Sequence, residues 1–190
     1  MIRCIPAFFL LLIGCADKDD STAPDLSFGA NGGSNSSDET GCIRINGSGS
    51  YTTINAAIEA ASNGDVITLC AGEYDERVII DKAVSVKGPA SGSPAIINGP
   101  SDDSTVSVRS DNVELSRVTI NAPGTGVYVG EFDSVSLKVL TFSATGDTAV
   151  RASGSTEMLV QASYFISLDY GVILLFVGGC LSVVNCAFEG

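Results

Sequence analysis

Val113-Glu-Leu-Ser-Arg-Val-Thr-Ile120 is followed by three variants of itself. They are Val135-Ser-Leu-Lys-Val-Leu-Thr-Phe142, Met158-Leu-Val-Gln-Ala-Ser-Tyr-Phe165 and Leu181-Ser-Val-Val-Asn-Cys-Ala-Phe188, at intervals of 22, 23 and 23 residues. A second phrase keeps nearly the same beat: Val106-Ser-Val108, Val127-Tyr-Val129, Val150-Arg-Ala152 and Val172-Ile-Leu174, at 21, 23 and 22. A repeat of this length is a solenoid period. Within each unit apolar and polar residues alternate over a few positions, as in a strand with one buried face. Gly, Ser, Asp, Asn and Thr separate these short runs and supply turns. The predicted fold is all-β, a parallel β-helix with two or three strands per coil. The predicted inward columns are Val113/Val135/Met158/Leu181, Leu115/Leu137/Val160/Val183 and Ile120/Phe142/Phe165/Phe188. One coil cannot bury its own core, so stacking is the fold.

Upstream of the repeats, Tyr51-Thr-Thr-Ile-Asn-Ala-Ala-Ile-Glu-Ala-Ala-Ser-Asn-Gly-Asp65 places Ile54, Ala57, Ile58 and Ala61 on one helical face. Thr52 or Thr53 is the expected N-cap and Gly64 the expected end. Such a helix closes the open end of the first coil, whose core and edges would otherwise face water.

The first fifteen residues, Met-Ile-Arg-Cys-Ile-Pro-Ala-Phe-Phe-Leu-Leu-Leu-Ile-Gly-Cys, have a basic start and a short apolar run. This is the pattern of an export signal, too short for an ordinary membrane span. Leu12-Ile13-Gly14-Cys15 resembles the lipobox of bacterial lipoproteins. That resemblance implies cleavage before Cys15, lipidation of its thiol and stable membrane anchoring by several acyl chains. Ala16 after the Cys, with Asp17 one later, points to the outer membrane or cell surface. Residues 16–41 hold six acids and one Lys among Gly, Ser, Asn and Pro, and are expected to be a disordered tether. Residues 42–190 form the expected domain.

The net charge of −12 and the absence of a basic stripe exclude a nucleic-acid binder. There is no His, which removes the commonest general base and metal ligand. Four cysteines remain after Cys4 and Cys15 are set aside. Cys42 and Cys70 flank the capping helix and are a candidate disulfide in an exported domain. Cys186 is expected as a buried free thiol in the last repeat, beside Cys180.

The pattern Gly49-x-Tyr51-x-Thr53-Ile54-x-x-Ala57-Ile58-x-x-Ala61, then Gly64-Asp65-x-Ile67, Gly72-x-Tyr74-x-Glu76-x-Val78-x-Ile80, Val86-x-Gly88 and Ile97-x-Gly99 resembles the opening of right-handed parallel β-helix proteins of the pectin lyase-like superfamily, pectinesterases among them. The resemblance covers about 50 residues and implies the fold. The later catalytic motifs of pectinesterases, of the Gln-Asp, Val-Asp-Phe and Gly-Arg-Pro-Trp types, are absent.

In β-helix enzymes the active groove follows outward strand residues. The expected outward columns here are Ser107/Tyr128/Arg151/Ile173, Glu114/Ser136/Leu159/Ser182, Ser116/Lys138/Gln161/Val184 and Thr119/Thr141/Tyr164/Ala187. None stacks paired carboxylates, which esterase, lyase and hydrolase mechanisms on this fold need. No catalytic residue and no metal ligand is therefore assigned. The turn Glu73, Asp75, Glu76, Arg77 is a weak Ca²⁺ candidate against ordinary solvation. Tyr128 and Arg151, an aromatic plate beside a cation, are candidate glycan-binding residues, with Tyr164 as a second plate one column over. The preferred reading is a non-catalytic, membrane-anchored module that presents a rigid face to polysaccharide or a surface protein. The alternative is a fragment or divergent member of a pectinesterase-like or polysaccharide lyase-like family, and a structural role in the envelope is the third. Val172-Ile-Leu-Leu-Phe-Val177 is apolar on both faces and the chain stops at Gly190 straight after a strand. The expectation is that lost coils or self-association through the C-terminal coil account for this edge.

Overall fold

A computed structural model describes residues 10–13, 42–101, 103–143, 148–154, 157–166, 170–175, 180–184 and 186–189. Cys15, the expected cleavage site before it and the expected tether over residues 16–41 lie outside the described residues.

The chain is a parallel β-solenoid in which each coil gives one strand to each of three sheets. The first sheet stacks Val66–Thr68, Ser85–Lys87, Glu114–Ser116, Val135–Lys138, Glu157–Gln161 and Cys180–Val184. The second stacks Gly72–Asp75, Ala95–Asn98, Val118–Asn121, Thr141–Ser143, Tyr164–Ile166 and Ala187–Glu189. The third stacks Val78–Ile80, Val106–Val108, Thr125–Val129, Thr148–Ser153 and Tyr170–Leu175. Pairing within these stacks is parallel and in register with the sequence repeat. Leu115 pairs with Leu137 and Leu137 with Val160, and the same column extends back to Val86 and Ile67. Ile120, Phe142 and Phe165 form another, reaching back to Ile97 and Tyr74. Apart from Tyr74, which is partly buried, these side chains are fully or almost fully buried. Burying an Ile, Leu or Phe contributes about 1.5–3 kcal/mol each, which is why the columns hold the stack.

The corner between the first and second sheets is made by single residues in left-handed backbone. Arg117, Val139 and Ala162 have φ of 56°, 53° and 49°. Their N–H groups donate to the carbonyls of Lys138, Gln161 and Val184 in the next coil, at 3.1, 2.9 and 2.9 Å. The hydrogen-bond ladder thus continues around the bend instead of breaking there. This conformation costs a non-glycine residue roughly 1–2 kcal/mol, and a β-branched one suits it worst. Val139 is also 54% exposed, so its side chain contributes little packing. Val139→Asn should therefore stabilise the protein by about 0.5–1 kcal/mol, because Asn tolerates this backbone. A denaturation midpoint that stays put or falls would remove strain at this corner from the account.

The helix spans Ile54–Ala60 and buries Ile54, Ala57 and Ile58. Thr53 is the N-cap, its Oγ1 accepting from the Ala56 N–H at 3.1 Å. Gly64 does not end the helix. Ala61 does so in extended backbone, its N–H donating to the Ala57 and Ile58 carbonyls while its own side chain turns into the core. Gly64, at φ 92°, serves the following turn into Val66.

Side chains from the first coil clamp this helix at both ends. Glu76 accepts from the Ile54 and Asn55 backbone N–H groups at 2.6 and 3.2 Å, where orphan donors and the dipole favour a carboxylate. Lys82 donates to the Glu59 and Ala61 carbonyls at the other end, at 2.5 and 2.7 Å. Asn55 acts as a miniature strand. Its amide donates to the Arg77 carbonyl at 2.7 Å and accepts from the Ile79 N–H at 2.9 Å, satisfying the first edge of the third sheet. Cys42 and Cys70 form a disulfide, with Cα atoms 6.0 Å apart.

At the opposite edge of the third sheet, Leu10–Ile13 pairs antiparallel with Tyr170–Leu175. The apolar run Leu10–Ile13 therefore covers this edge, which the sequence led us to expect to be completed by lost coils or self-association.

Candidate functional site

Tyr128 and Arg151 project outward from neighbouring strands of the third sheet and are register partners. The alternation that buries Val127 and Val129 leaves Tyr128 outside, 36% exposed. Arg151 stands outside for the same reason, between buried Val150 and Ala152. Both line a cleft of about 400 Å³ together with Ser101, Asp103, Ser104, Gly124 and Thr125. The Tyr128 hydroxyl lies 3.2 Å from Ser153 Oγ, so the ring leans along the stack past Arg151. Among the described residues Arg151 has no ion pair and no side-chain hydrogen bond.

The far wall is the connection that enters the Val106–Val108 strand. Gly124 lets it approach, since a Cβ there would meet the Asp103 carbonyl oxygen at 3.1 Å and that of Ser101 at 3.3 Å. This connection folds over Ser107. Ser107 shares the outward column of Tyr128, yet it is only 1% exposed. Its Oγ lies 2.8 Å from Ser104 Oγ and accepts from Arg77 Nη2 at 3.3 Å. Arg77 Nη1 also makes an ion pair with Asp103 Oδ2. Asp103 Oδ1 accepts from the Ser104 N–H at 2.7 Å. The site thus holds one open guanidinium, one aromatic face, several hydroxyls and a carboxylate already tied to a second guanidinium. Hydroxyls, a planar cation and a ring are groups that bind sugars. Asp103 is the only carboxylate among the described lining residues.

Tyr164 is not part of this cleft. It belongs to the second sheet, where it pairs with Thr141, and so faces another side of the solenoid. Glu114 and Lys138 face out from the first sheet and do not meet Arg151 either. There Glu114 bridges Lys87 at 2.9 Å and Lys138 at 3.0 Å. The hydrogen bond from Lys87, with Lys138 adding to it, holds its carboxyl below the ordinary value of 4.5 despite partial desolvation. A carboxyl lowered by folding stabilises the native state above its unfolded value, and that stabilisation is lost as pH falls through the native one. Glu114→Gln should thus be less stable than the parent at pH 7, and the gap should close as the pH is taken below 4.5. Parallel urea titrations at both pH values check this; a gap that persists in acid would mean packing, not charge, is at stake.

The turn read as a weak Ca²⁺ candidate has other partners. Glu76 caps the helix, while Glu73 and Asp75 accept from the Asn98 amide at 3.3 and 2.7 Å. Among the described residues no group of three His, Cys, Asp or Glu side chains converges. Cys186 is a free, half-buried thiol whose pKa burial pushes up.

Asp103 and Ser104 were not singled out in the sequence, and Arg77 was named only within the acidic turn. Arg77 stands one position before Val78 as Thr105 does before Val106, and that register puts it beneath the connection. No known protein family, no curated protein and no solved structure matches the chain.

Proposed function

We propose that this solenoid is an exported, lipid-anchored module of the pectin lyase-like kind whose third sheet binds an acidic glycan in the Tyr128–Arg151 cleft. The observation that carries this is the register pairing of an open guanidinium with an aromatic face in one cleft rimmed by Ser and Thr hydroxyls. Arg presents a rigid fork of donors suited to a carboxylate or to neighbouring hydroxyls. On a chain of net charge −12, that cation is a local exception. The anchor rests on the leader and on Leu12-Ile13-Gly14-Cys15. Cleavage before Cys15 removes the Leu10–Ile13 strand with the leader, while Cys15 keeps the solenoid at the outer membrane or cell surface. Among the described residues no helix is long and apolar enough to cross a membrane.

The test is binding of the full chain to acidic and neutral polysaccharides, with and without Ca²⁺, while the same samples are assayed for unsaturated products and released methanol. Binding without turnover is expected. Arg151→Ala should weaken it at least about tenfold, the usual loss for a hydrogen bond to a charged group. Tyr128→Ala should also weaken it. Arg151→Ala binding as well as the parent would overturn the assignment, and turnover would favour the polysaccharide-acting enzyme reading.

A further inference from the structure

We infer that Asp103 is a built-in competitor for the ligand's acidic group, so that the cleft as folded is held below its attainable affinity. This rests on the acidic-glycan reading of the same cleft. Two guanidiniums bear on the site. Arg151 lines it from the Thr148–Ser153 strand, while Arg77, just ahead of the Val78–Ile80 strand, holds Asp103 and Ser107 from behind. Three rungs, about 14 Å, separate their positions along the sheet, and Arg77 bears on the cleft through its ion pair with Asp103. Asp103 lies between them and lines the cleft, with 46% of its side chain exposed.

The carboxylate of Asp103 occupies Arg77 as an acidic ligand would. A ligand carboxylate arriving at Arg151 meets this like charge in the same cleft. With Asp103 ionised, the two guanidiniums and one carboxylate leave the site with a single net positive charge. Neutralising Asp103 leaves two. Asp103→Asn retains the oxygen that accepts from the Ser104 N–H, so it changes charge with little change of shape.

The experiment uses the full chain, a hexuronate oligosaccharide and its methyl ester, at one low ionic strength. Asp103→Asn should bind the acid roughly five- to tenfold more tightly than the parent, with the ester unchanged, as removal of one nearby like charge in a partly solvated cleft predicts. Arg77→Met, which unties Asp103, should weaken binding of the acid. The double variant should not show the loss seen in Arg77→Met, since the charge responsible for it is gone. Thermal melting of each variant confirms that it is folded, and Asp103→Ser replaces Asp103→Asn if the latter melts early. If Asp103→Asn gains nothing while parent binding still depends on Arg151, the competitor role is overturned and the binding cleft stands. If no variant binds the acid, or Arg151→Ala has no effect, both fall.

Discussion

Phe142→Ala should destabilise the protein by about 3–5 kcal/mol, the cost of emptying a buried aromatic site that cannot collapse. Phe142 is fully buried in the column that runs from Ile97 through Ile120 to Phe165. Its ring stacks on Phe165 with centroids 5.0 Å apart and planes 3° from parallel. Such a pair adds about 0.5–1.5 kcal/mol beyond the area it buries. The surroundings have little freedom to fill the void. Gly126 on the adjacent sheet is already shaped to the ring, for a Cβ there would meet it at 3.0 Å and the Ala149 carbonyl at 2.5 Å. Gly126 lies two residues before Tyr128, so the cavity would also loosen a wall of the cleft. Phe142→Leu should cost much less. Denaturant titrations of both variants check the pair, and a loss under about 1 kcal/mol for Phe142→Ala would mean that the solenoid relaxes into the gap.

Replacing Cys42 and Cys70 by Ser should cost about 3.6 kcal/mol, from the chain-entropy relation for the separation of 28 residues that the bridge closes. The crosslink ties the strand region before the capping helix to the end of the first coil. Without it the helix is still held by Glu76, Asn55 and Lys82. The native structure should therefore survive at room temperature with a lower melting point, and reductant should lower the parent's melting point to match. Equal melting of parent, reduced parent and double variant would show that the cap needs no covalent tie.

Much of the fold was legible because inward positions recur with two-residue alternation inside each unit and one-coil spacing between units. Leu115, Leu137 and Val160 satisfy both periods, and register follows from them. What escaped was information that no period carries. Val139 has the chemistry of a strand and gives no sign of the left-handed bend it makes. Ser107 and Ser116 read as outward positions but are buried, Ser107 beneath an irregular connection whose path is set by Gly124 and Asp103. For the cleft, Tyr128 and Arg151 could be paired on paper because they share a column. Tyr164 was placed in its right column but too near the cleft, because the repeat does not say at which residue a corner turns the chain onto another sheet. Asp103 and Arg77 lie between strands, where the alternation argument has no purchase.

The clamp on the capping helix gives the molecule a direction. In a stack coupled only between neighbours, unravelling begins where the terminal unit is held least. One end carries a crosslink and three side-chain clasps; the coils farthest from the helix have, among the described residues, the antiparallel Leu10–Ile13 strand but no comparable crosslink or clasp. Opening should therefore run like a zipper towards the helix, passing the Arg151 strand before the Tyr128 strand. A ligand gripped by both strands would act as a splint across that line, arresting the zipper at a rung it otherwise passes freely.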